Sequence, residues 1–319
     1  MIFINKPKVI VIGGPTASGK TALSIALAKK IDGEIISADS MQIYKDMTIG
    51  TAKPTPEEMD GIKHYLVDCI SPEVRYSVAD FKKDATEAIE EILSKGKTPI
   101  VVGGTGLYID SLVLGIDYNE IEVDLEYRKE LENIIKEKGL DRLYEMAKKI
   151  DEKAMEKISK NDKKRICRVL EIYKSTGKTK TEMEAESRKN EIKYDFKVFA
   201  IDMDREKLYD RINRRVDLMI EAGLIKEVRN LIDKYPNMPT AMQGLGYKEV
   251  VEYFNGECSR EEMIEKIKQE SRHYAKRQLT WFRKNKEIKW LDASKSLDEN
   301  TNFILEEIRW RNYRKENCK

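Results

Sequence analysis

The sequence predicts an α/β fold in which a parallel sheet is covered by helices on both faces and carries an inserted all-helical domain. Two observations lead to this prediction. Short apolar segments typical of buried strands alternate with helical segments, which is the pattern of a parallel sheet. A long, charged and strand-poor stretch then interrupts the alternation. The predicted strands lie in KVIVIG at 8–13, EIISADS at 34–40, TPIVVGGTGLYID at 98–110 and KVFAIDMD at 197–204.

The interruption runs from about 115 to 195 and is helical throughout, and the chain after the fourth strand is again mostly helical. The last 25 residues are polar and carry no clear pattern. We therefore predict a discontinuous core of residues 1–114 and 196–300, a helical insertion domain of residues 115–195 and a C-terminal tail of residues 301–319.

The bulk composition is that of a soluble globular protein with an excess of charge. The net charge of +2 does not indicate a nucleic-acid binder, so any such surface must come from local segregation of charge. The four cysteines lack the spacing of a metal site, and we expect free thiols in a reducing compartment. No signal peptide or membrane span is predicted, and we expect a cytoplasmic protein.

A phosphate-binding loop lies between the first predicted strand and an amphipathic helix. The loop is Gly14-Pro15-Thr16-Ala17-Ser18-Gly19-Lys20-Thr21. Its backbone N–H groups and the helix N-terminus form an anion site, and Lys20 adds a charge for the terminal phosphate. The Thr21 hydroxyl is the candidate ligand for Mg²⁺, which usually accompanies a bound diphosphate.

The identity of the phosphate stays open at this point. Nucleotide-hydrolysing proteins with such a loop need a carboxylate for Mg²⁺, typically at the end of a later strand. The strand TPIVV ends in Gly103-Gly104-Thr105 with no acid, although Asp39 at the end of the second strand could serve. No DDxxD cluster is present, so a prenyl diphosphate would have to be held by the loop.

Eight stretches, in order over about 270 residues, resemble tRNA dimethylallyltransferases, also called tRNA isopentenyltransferases. The loop by itself is common, but its combination with the other stretches is highly specific. They are GPTASGKT (14–21), SADSMQIY (37–44), IGTAKP (49–54), VGGTGLYI (102–109), RVLEIYKSTGK (168–178), RINRRVDLMIEAGLIKEV (211–228), QGLGYKE (243–249) and AKRQLTWFR (275–283).

This resemblance implies transfer of a dimethylallyl group from dimethylallyl diphosphate to N6 of adenosine 37, next to the anticodon of tRNA. It also implies a kinase-like P-loop core and a helical insertion that grips the anticodon stem-loop. Some members carry a C-terminal zinc finger, but the tail RNYRKENCK has one Cys and no His, so we predict no zinc. We expect a monomer.

The resemblance and the chemistry together suggest catalytic roles. Lys20 and Mg²⁺ at Thr21 suit the stabilisation of a leaving diphosphate, and Arg211 and Arg215 could add donors. Asp39 is the candidate base for the N6 proton, although an Asp at a strand end also commonly caps the next element. Thr105 is either a turn residue or a hydroxyl directed at the reacting groups.

RNA contacts are expected from basic groups, which neutralise phosphates, and from aromatic rings, which stack on bases. A charged surface helix with Trp281 in the core is the alternative for the segment near residue 280. Within the resemblance, the expected tRNA contacts are Asp39, Ser40, Met41, Gln42, Thr105, Arg128, Lys164, Arg165, Arg168, Gly244, Gly246, Tyr247, Lys248, Lys276, Arg277, Gln278, Trp281 and Arg283.

Three other functions compete with this interpretation. A kinase of a small metabolite would explain the loop but not the basic insertion. Prenyl transfer to free adenine nucleotides would need no RNA-gripping insertion. A non-catalytic RNA-binding protein would not need the intact set of Lys20, Thr21, Asp39 and Thr105.

Overall fold

A computed structural model of the protein describes residues 6–116, 124–187 and 191–316, with side chains up to residue 308. The contacts between residues divide the chain into two compact units. One unit comprises the segments up to Val113 and from Lys193, and the other is Leu114–Ile192.

The first unit is built on a parallel sheet with the strand order β3-β2-β4-β1-β5-β6. The predicted α/β class and its parallel sheet are confirmed, and each of the four predicted strands is present. The two edge strands were not predicted, because they are only two and four residues long. The strands are β1 Lys8–Gly13, β2 Gly33–Ser37, β3 His64–Tyr65, β4 Thr98–Gly103, β5 Asp195–Asp202 and β6 Lys289–Asp292.

Helices follow most strands, as a parallel sheet requires. In chain order they are α1 Lys20–Ile31, α2 Pro56–Met59, α3 Val78–Ser94, α4 Gly106–Val113, α5 Leu125–Ile150, α6 Glu152–Met155, α7 Lys163–Thr176, α8 Lys180–Ser187, α9 Arg205–Glu221, α10 Leu224–Lys234, α11 Tyr247–Phe254, α12 Arg260–Phe282 and α13 Leu297–Glu316. Helices α5 to α8 form the second unit. Within the described residues, none of these helices has the length and apolar character needed to cross a bilayer.

Side chains alternate along β1 and thereby supply two cores. Val9 and Val11 belong to the larger apolar cluster on one face of the sheet. Ile10 and Ile12 belong to a second cluster on the other face, which includes residues of α1 and Ile304 of α13. Successive residues of a strand point to opposite faces, so the sheet is covered on both sides.

The segment expected as a C-terminal tail contains most of α13. Thr301 and Ile304 are fully buried in this helix, and α13 packs against α1. Residues 301–308 are therefore part of the fold of the first unit. The polar composition concealed this, because a surface helix needs only a narrow apolar stripe to dock.

The second unit has an apolar cluster of its own. Leu131 and Leu143 of α5 meet Ile166, Val169 and Leu170 of α7 there. Gly139 interrupts α5 with a non-helical φ of 78°, which allows the helix to turn between its two halves.

Candidate active site

The carboxyl ends of β1, β2 and β4 bring three segments of the first unit together. Gly13 pairs with Gly103, and Ser37 pairs with Val102. The phosphate-binding loop, the segment that begins at Ala38 and the turn at Gly103-Gly104 therefore start side by side. Ligands of open α/β sheets bind at this edge.

The phosphate-binding loop has the backbone geometry of an anion site. Gly14 and Gly19 have φ values of 141° and 97°, in the region that favours glycine. The Ser18 hydroxyl is buried and makes no hydrogen bond within the described residues. Lys20 donates from Nζ to the Pro15 carbonyl at 2.6 Å. The orphaned hydroxyl and the inward-turned ammonium both fit a loop that closes around a phosphate.

A cleft of about 870 Å³, here called the P-loop cleft, opens beside this loop. Residues 17–22 line one side. Arg211, Arg214 and Arg215 of α9 also line it, as do residues 48, 49 and 52–55. Sequence reasoning missed Arg214, although its spacing of three residues from Arg211 places both on one face of a helix.

A second cleft of about 330 Å³, here called the Asp39 cleft, contains Asp39, Tyr274 and Arg277. Arg215 and Met219 line both clefts. Apolar side chains form much of the wall of the Asp39 cleft, namely Met41, Ile212, Val216, Met219, Leu245 and Ile267. A charged phosphate site and a largely apolar chamber thus share one boundary.

Buried positive charge concentrates at this boundary. The side chain of Lys20 is half-buried, but its ammonium lies deep among protein atoms, and this burial, with the nearby Arg215 charge, lowers the pKa of Lys20 to about 7. Burial also lowers the pKa of Arg215, and the Asp39 carboxylate opposes that shift. Arg215 donates from Nη1 to Thr16 Oγ1 at 3.1 Å. A buried cation without a full set of partners is unfavourable, and a bound anion would relieve this cost. These cations are therefore suited to bind a phosphate.

Asp39 caps the turn that follows β2. Its Oδ1 accepts from the Met41 N–H at 2.9 Å and from the Gln42 N–H at 3.3 Å. The same side chain also lines the Asp39 cleft. The two interpretations of Asp39 from the sequence are therefore compatible, because the cap uses only one carboxylate oxygen.

Thr105 lies directly before α4 and lines neither cleft. Its N–H donates to the Ala38 carbonyl at 3.3 Å, and its hydroxyl is buried without a well-formed hydrogen bond in the described residues. Tyr274 is its polar neighbour, and burial near Asp39 raises the pKa of Tyr274 to about 12. Thr105 is therefore a turn residue, as one of the two interpretations of the sequence expected. Its hydroxyl faces Tyr274.

The last turns of α12 pack onto three glycines of these loops. Gln278 accepts from the Thr16 N–H at 2.8 Å and donates to the Gly104 carbonyl at 3.0 Å. A Cβ on Gly104 would lie 2.0 Å from Gln278 Nε2. Phe282 packs on Gly13, and Trp281 packs on Gly106. Glycine is required at these positions because the helix approaches their backbone directly.

Three of the residues expected to contact tRNA instead bind other parts of the protein. Gln278 is 5% exposed, and both ends of its amide are used inside the protein. Tyr247 is fully buried, and its hydroxyl donates to Glu227. Gln42 accepts from the Ser37 hydroxyl and donates to the carbonyls of residues 51 and 52. These three side chains make hydrogen bonds within the protein around the two clefts.

Other expected contacts are accessible. Lys276, Arg277 and Arg283 are exposed, and Trp281 is half-buried. Arg283 forms an exposed ion pair with Asp202, with 3.2 Å between Nη2 and Oδ1. Five more of the expected tRNA contacts line the Asp39 cleft, namely Ser40, Met41, Gly244, Gly246 and Lys248.

The remaining expected contacts belong to the second unit. Lys164 and Arg165 are exposed at the start of α7. Arg128 donates to the buried Glu171 carboxylate, with 3.3 Å between Nη2 and Oε2, and Arg168 donates to the same oxygen at 3.5 Å. Glu171 therefore orders two of the four expected basic contacts.

The residues around Thr21 fit Mg²⁺ only in combination with a phosphate. Thr21 is exposed and lines the P-loop cleft together with Glu58. Within the described ranges, no group of three or more His, Cys, Asp or Glu is arranged to hold a metal. Mg²⁺ keeps several waters and commonly binds through one or two protein groups plus substrate phosphates, which matches this donor set.

The fold and the two clefts define a P-loop α/β protein that holds a phosphorylated substrate next to a second chamber. The model of the IPP transferase family matches residues 42–285. The tRNA dimethylallyltransferase of Acetivibrio thermocellus is 53% identical over 303 residues, which are 93% of this chain and 97% of the relative. That of Carboxydothermus hydrogenoformans is 49% identical, over 96% and 99% of the two chains. The chain belongs to the tRNA dimethylallyltransferase family, as the resemblance predicted.

Solved structures are similar over nearly the full length. The full-length tRNA isopentenylpyrophosphate transferase of Bacillus halodurans is 42% identical, has a TM-score of 0.73 and aligns over 98% of this chain and 100% of its own. A eukaryotic dimethylallyltransferase described as acting on tRNA is 34% identical, with a TM-score of 0.74 and coverages of 90% and 74%. These comparisons favour a prenyltransferase over a small-metabolite kinase.

Proposed function

We propose that this protein transfers the dimethylallyl group of dimethylallyl diphosphate to N6 of adenosine 37 beside the anticodon of tRNA, and releases diphosphate. The observation that carries this proposal is the shared boundary of the two clefts. Residues 17–21 of the phosphate-binding loop line one cleft, Asp39 lines the other, and Arg215 and Met219 line both. A donor bound at the loop can therefore present its allylic carbon to an acceptor beside Asp39.

On the donor side, charge develops on the leaving diphosphate as its bond to the allylic carbon breaks. The loop amides, Lys20 and Arg215 are placed to hold that charge, with Arg211 and Arg214 facing the same cleft. Mg²⁺ bound with Thr21 would neutralise further negative charge on the diphosphate. Because these donors are already in position, little reorganisation is needed at the moment of reaction.

On the acceptor side, the exocyclic N6 is a weak nucleophile because its lone pair is delocalised into the ring. Asp39 Oδ1 caps the turn, which leaves Oδ2 to accept the N6 proton. Tyr274 and Arg277 line the same cleft and supply further polar contacts for the base. The apolar walls keep water away from the allylic cation.

The RNA is held, in this proposal, by basic groups of both units. In the first unit these are Lys276, Arg277 and Arg283, with the half-buried Trp281 as a stacking surface. In the second unit they are the exposed Lys164 and Arg165 and the half-buried Arg128 and Arg168. An unpaired adenosine in a loop is cheaper to unstack than one in a duplex, which suits a stem-loop acceptor. A cytoplasmic, monomeric protein stays a prediction from the sequence.

The test uses purified protein, Mg²⁺, radiolabelled dimethylallyl diphosphate and three acceptors. The acceptors are an anticodon stem-loop with an adenosine 3′ of the anticodon, the same RNA with guanosine there, and free AMP. Label on the first RNA alone supports the proposal. Label on AMP would assign transfer to free nucleotides, and no label on any acceptor would refute prenyl transfer.

Neutralising the exposed end of α12 is expected to weaken RNA binding and flatten its salt dependence. Lys276→Ala and Arg277→Ala should each reduce the slope of log affinity against log salt by about 0.7 to 0.9, the value for one phosphate contact. Filter binding of the stem-loop from low to high salt measures this slope. Lys266→Ala, earlier on the same helix and paired with Glu252, is the control. An unchanged slope in both test variants would place the RNA elsewhere.

The affinity for inorganic diphosphate is expected to fall as the pH rises above about 7. The pKa of Lys20 lies at about 7, so its ammonium is protonated below this pH and becomes neutral above it. Because a diphosphate favours the charged form, binding above this pH must take up a proton, and the Kd rises by up to about tenfold per pH unit. Calorimetric titrations at several pH values measure this change.

Lys20→Arg provides the comparison for this pH dependence, because arginine stays charged throughout the range. The difference between the two profiles removes the titration of diphosphate itself. Parallel profiles for the wild type and Lys20→Arg would show that Lys20 does not titrate near neutral pH.

A further inference from the structure

The loop of residues 48–52 contributes residues to the walls of both clefts. Thr48, Ile49 and Ala52 line the P-loop cleft, whereas Gly50 and Thr51 line the Asp39 cleft. Together with Arg215 and Met219 of α9, which line both clefts, this loop forms the wall that the two clefts share. It carries no side chain that sequence reasoning assigned to the reaction.

One carboxylate holds most of this loop. Glu227 of α10 accepts with Oε2 from the Thr48 N–H at 3.0 Å and from the Ile49 N–H at 2.7 Å. Its Oε1 accepts from the Gly50 N–H at 3.1 Å and from the Tyr247 hydroxyl at 2.7 Å. Hydrogen bonds to an ionised acceptor are stronger than neutral ones, so this four-donor arrangement fixes the loop backbone firmly.

Packing and further hydrogen bonds fix the rest of the loop. A Cβ on Gly50 would lie 2.5 Å from the Tyr247 ring, so the loop backbone rests directly on a buried aromatic side chain. Gln42 donates from Nε2 to the carbonyls of Thr51 and Ala52 at 3.3 and 3.2 Å. Just beyond the loop, the buried Lys53 donates to the Tyr44 carbonyl at 2.7 Å. The loop is therefore held from several sides in one conformation.

We propose that Glu227 is a positioning residue that holds the loop of residues 48–52 in place, as part of the wall of both clefts, and so keeps water from the allylic carbon while the donor ionises. This inference rests on the function proposed above. The bond between the allylic carbon and the diphosphate oxygen breaks, and its electron pair leaves with the diphosphate. In transfer, N6 of adenosine bonds to the carbon and loses a proton. If water enters instead, its oxygen bonds to the carbon, and dimethylallyl alcohol and a proton are formed.

Loosening this loop therefore changes the fate of the donor. Glu227→Gln keeps the size of the side chain but places an NH₂ group against N–H donors, so at least part of the four-donor arrangement is lost. We expect the ratio of diphosphate released to prenyl group transferred to rise from about 1 to about 3 or more, with transfer slowed about tenfold, as loss of a buried hydrogen bond would produce. A purely structural role would lower the amount of folded enzyme without changing this ratio.

The experiment measures both products in the same reaction with full-length protein, Mg²⁺, labelled dimethylallyl diphosphate and the anticodon stem-loop. Diphosphate is determined as phosphate after pyrophosphatase treatment, and transfer as label on RNA. Tyr247→Phe, which removes one of the four donors, should give a smaller rise in the ratio. Asp233→Asn removes an exposed carboxylate from the same helix and should leave the ratio at the wild-type value.

A ratio near 1 in folded Glu227→Gln, whatever the rate of transfer, would overturn the proposal and leave the prenyl-transfer function standing. If circular dichroism shows that Glu227→Gln is unfolded, the ratio in Tyr247→Phe decides, and a ratio near 1 there is the contrary result. Absence of label on RNA with the wild-type protein would instead refute the function on which the inference rests.

Discussion

Replacing Asp39 with asparagine is expected to lower the turnover of prenyl transfer by about 10²–10⁴-fold, the range typical of a lost general base. Asparagine keeps an Oδ1 that can accept from the Met41 and Gln42 N–H groups, so the turn after β2 stays capped. It cannot accept the N6 proton, because its second group is a donor. Single-turnover assays with the stem-loop measure the effect, and RNA affinity should be largely unchanged.

Asp39→Ala separates the two roles of this residue. Alanine removes the cap as well as the base, so it should also lower the free energy of unfolding by about 1 kcal/mol, which asparagine should not. Near-normal turnover in Asp39→Asn would remove the role of base. A turnover defect confined to Asp39→Ala would show that Asp39 acts only by holding the turn.

Replacing Lys20 with alanine is expected to lower kcat/KM for the prenyl donor by about 10²–10³-fold, as for loss of one placed donor to a developing negative charge. Lys20 lies in the P-loop cleft with its ammonium deep in the protein, and no neighbouring side chain of the loop can replace that charge. Initial rates at varied donor concentration give this value. Binding of the stem-loop should change little, because the cleft faces the diphosphate.

Lys29→Ala is the matched control, since Lys29 lies on the same helix but forms an exposed ion pair with Asp60. It should leave donor use and RNA binding unchanged. Weakened RNA binding with normal donor use in Lys20→Ala would mean that the loop has been assigned to the wrong substrate.

Helix α12 combines the two sides of the proposed reaction. Its inner face holds the phosphate-binding loop through Gln278 and packs Phe282 on Gly13. Its outer face exposes Lys276 and Arg277. A substitution on this helix therefore affects the donor or the RNA according to the face on which it lies.

The sequence by itself determined the fold class, the four central strands, the phosphate-binding loop and the family. These features are local: the strand and helix patterns repeat over a few residues, and the loop needs its glycines and lysine at fixed spacing between a strand and a helix. The edge strands β3 and β6 escaped prediction because segments of two and four residues carry too little pattern. The docking of α13 likewise depends on a few buried side chains.

Only the tertiary structure decided which residues of each motif face the substrate and which face the protein. Arg277 is exposed and its neighbour Gln278 is buried, because successive residues of a helix point about 100° apart and the packing of α12 sets which side faces inward. Glu227 and the loop of residues 48–52 lie almost 180 positions apart in the sequence. No local pattern predicts such a contact, since it exists only once the sheet and its helices have brought the two segments together.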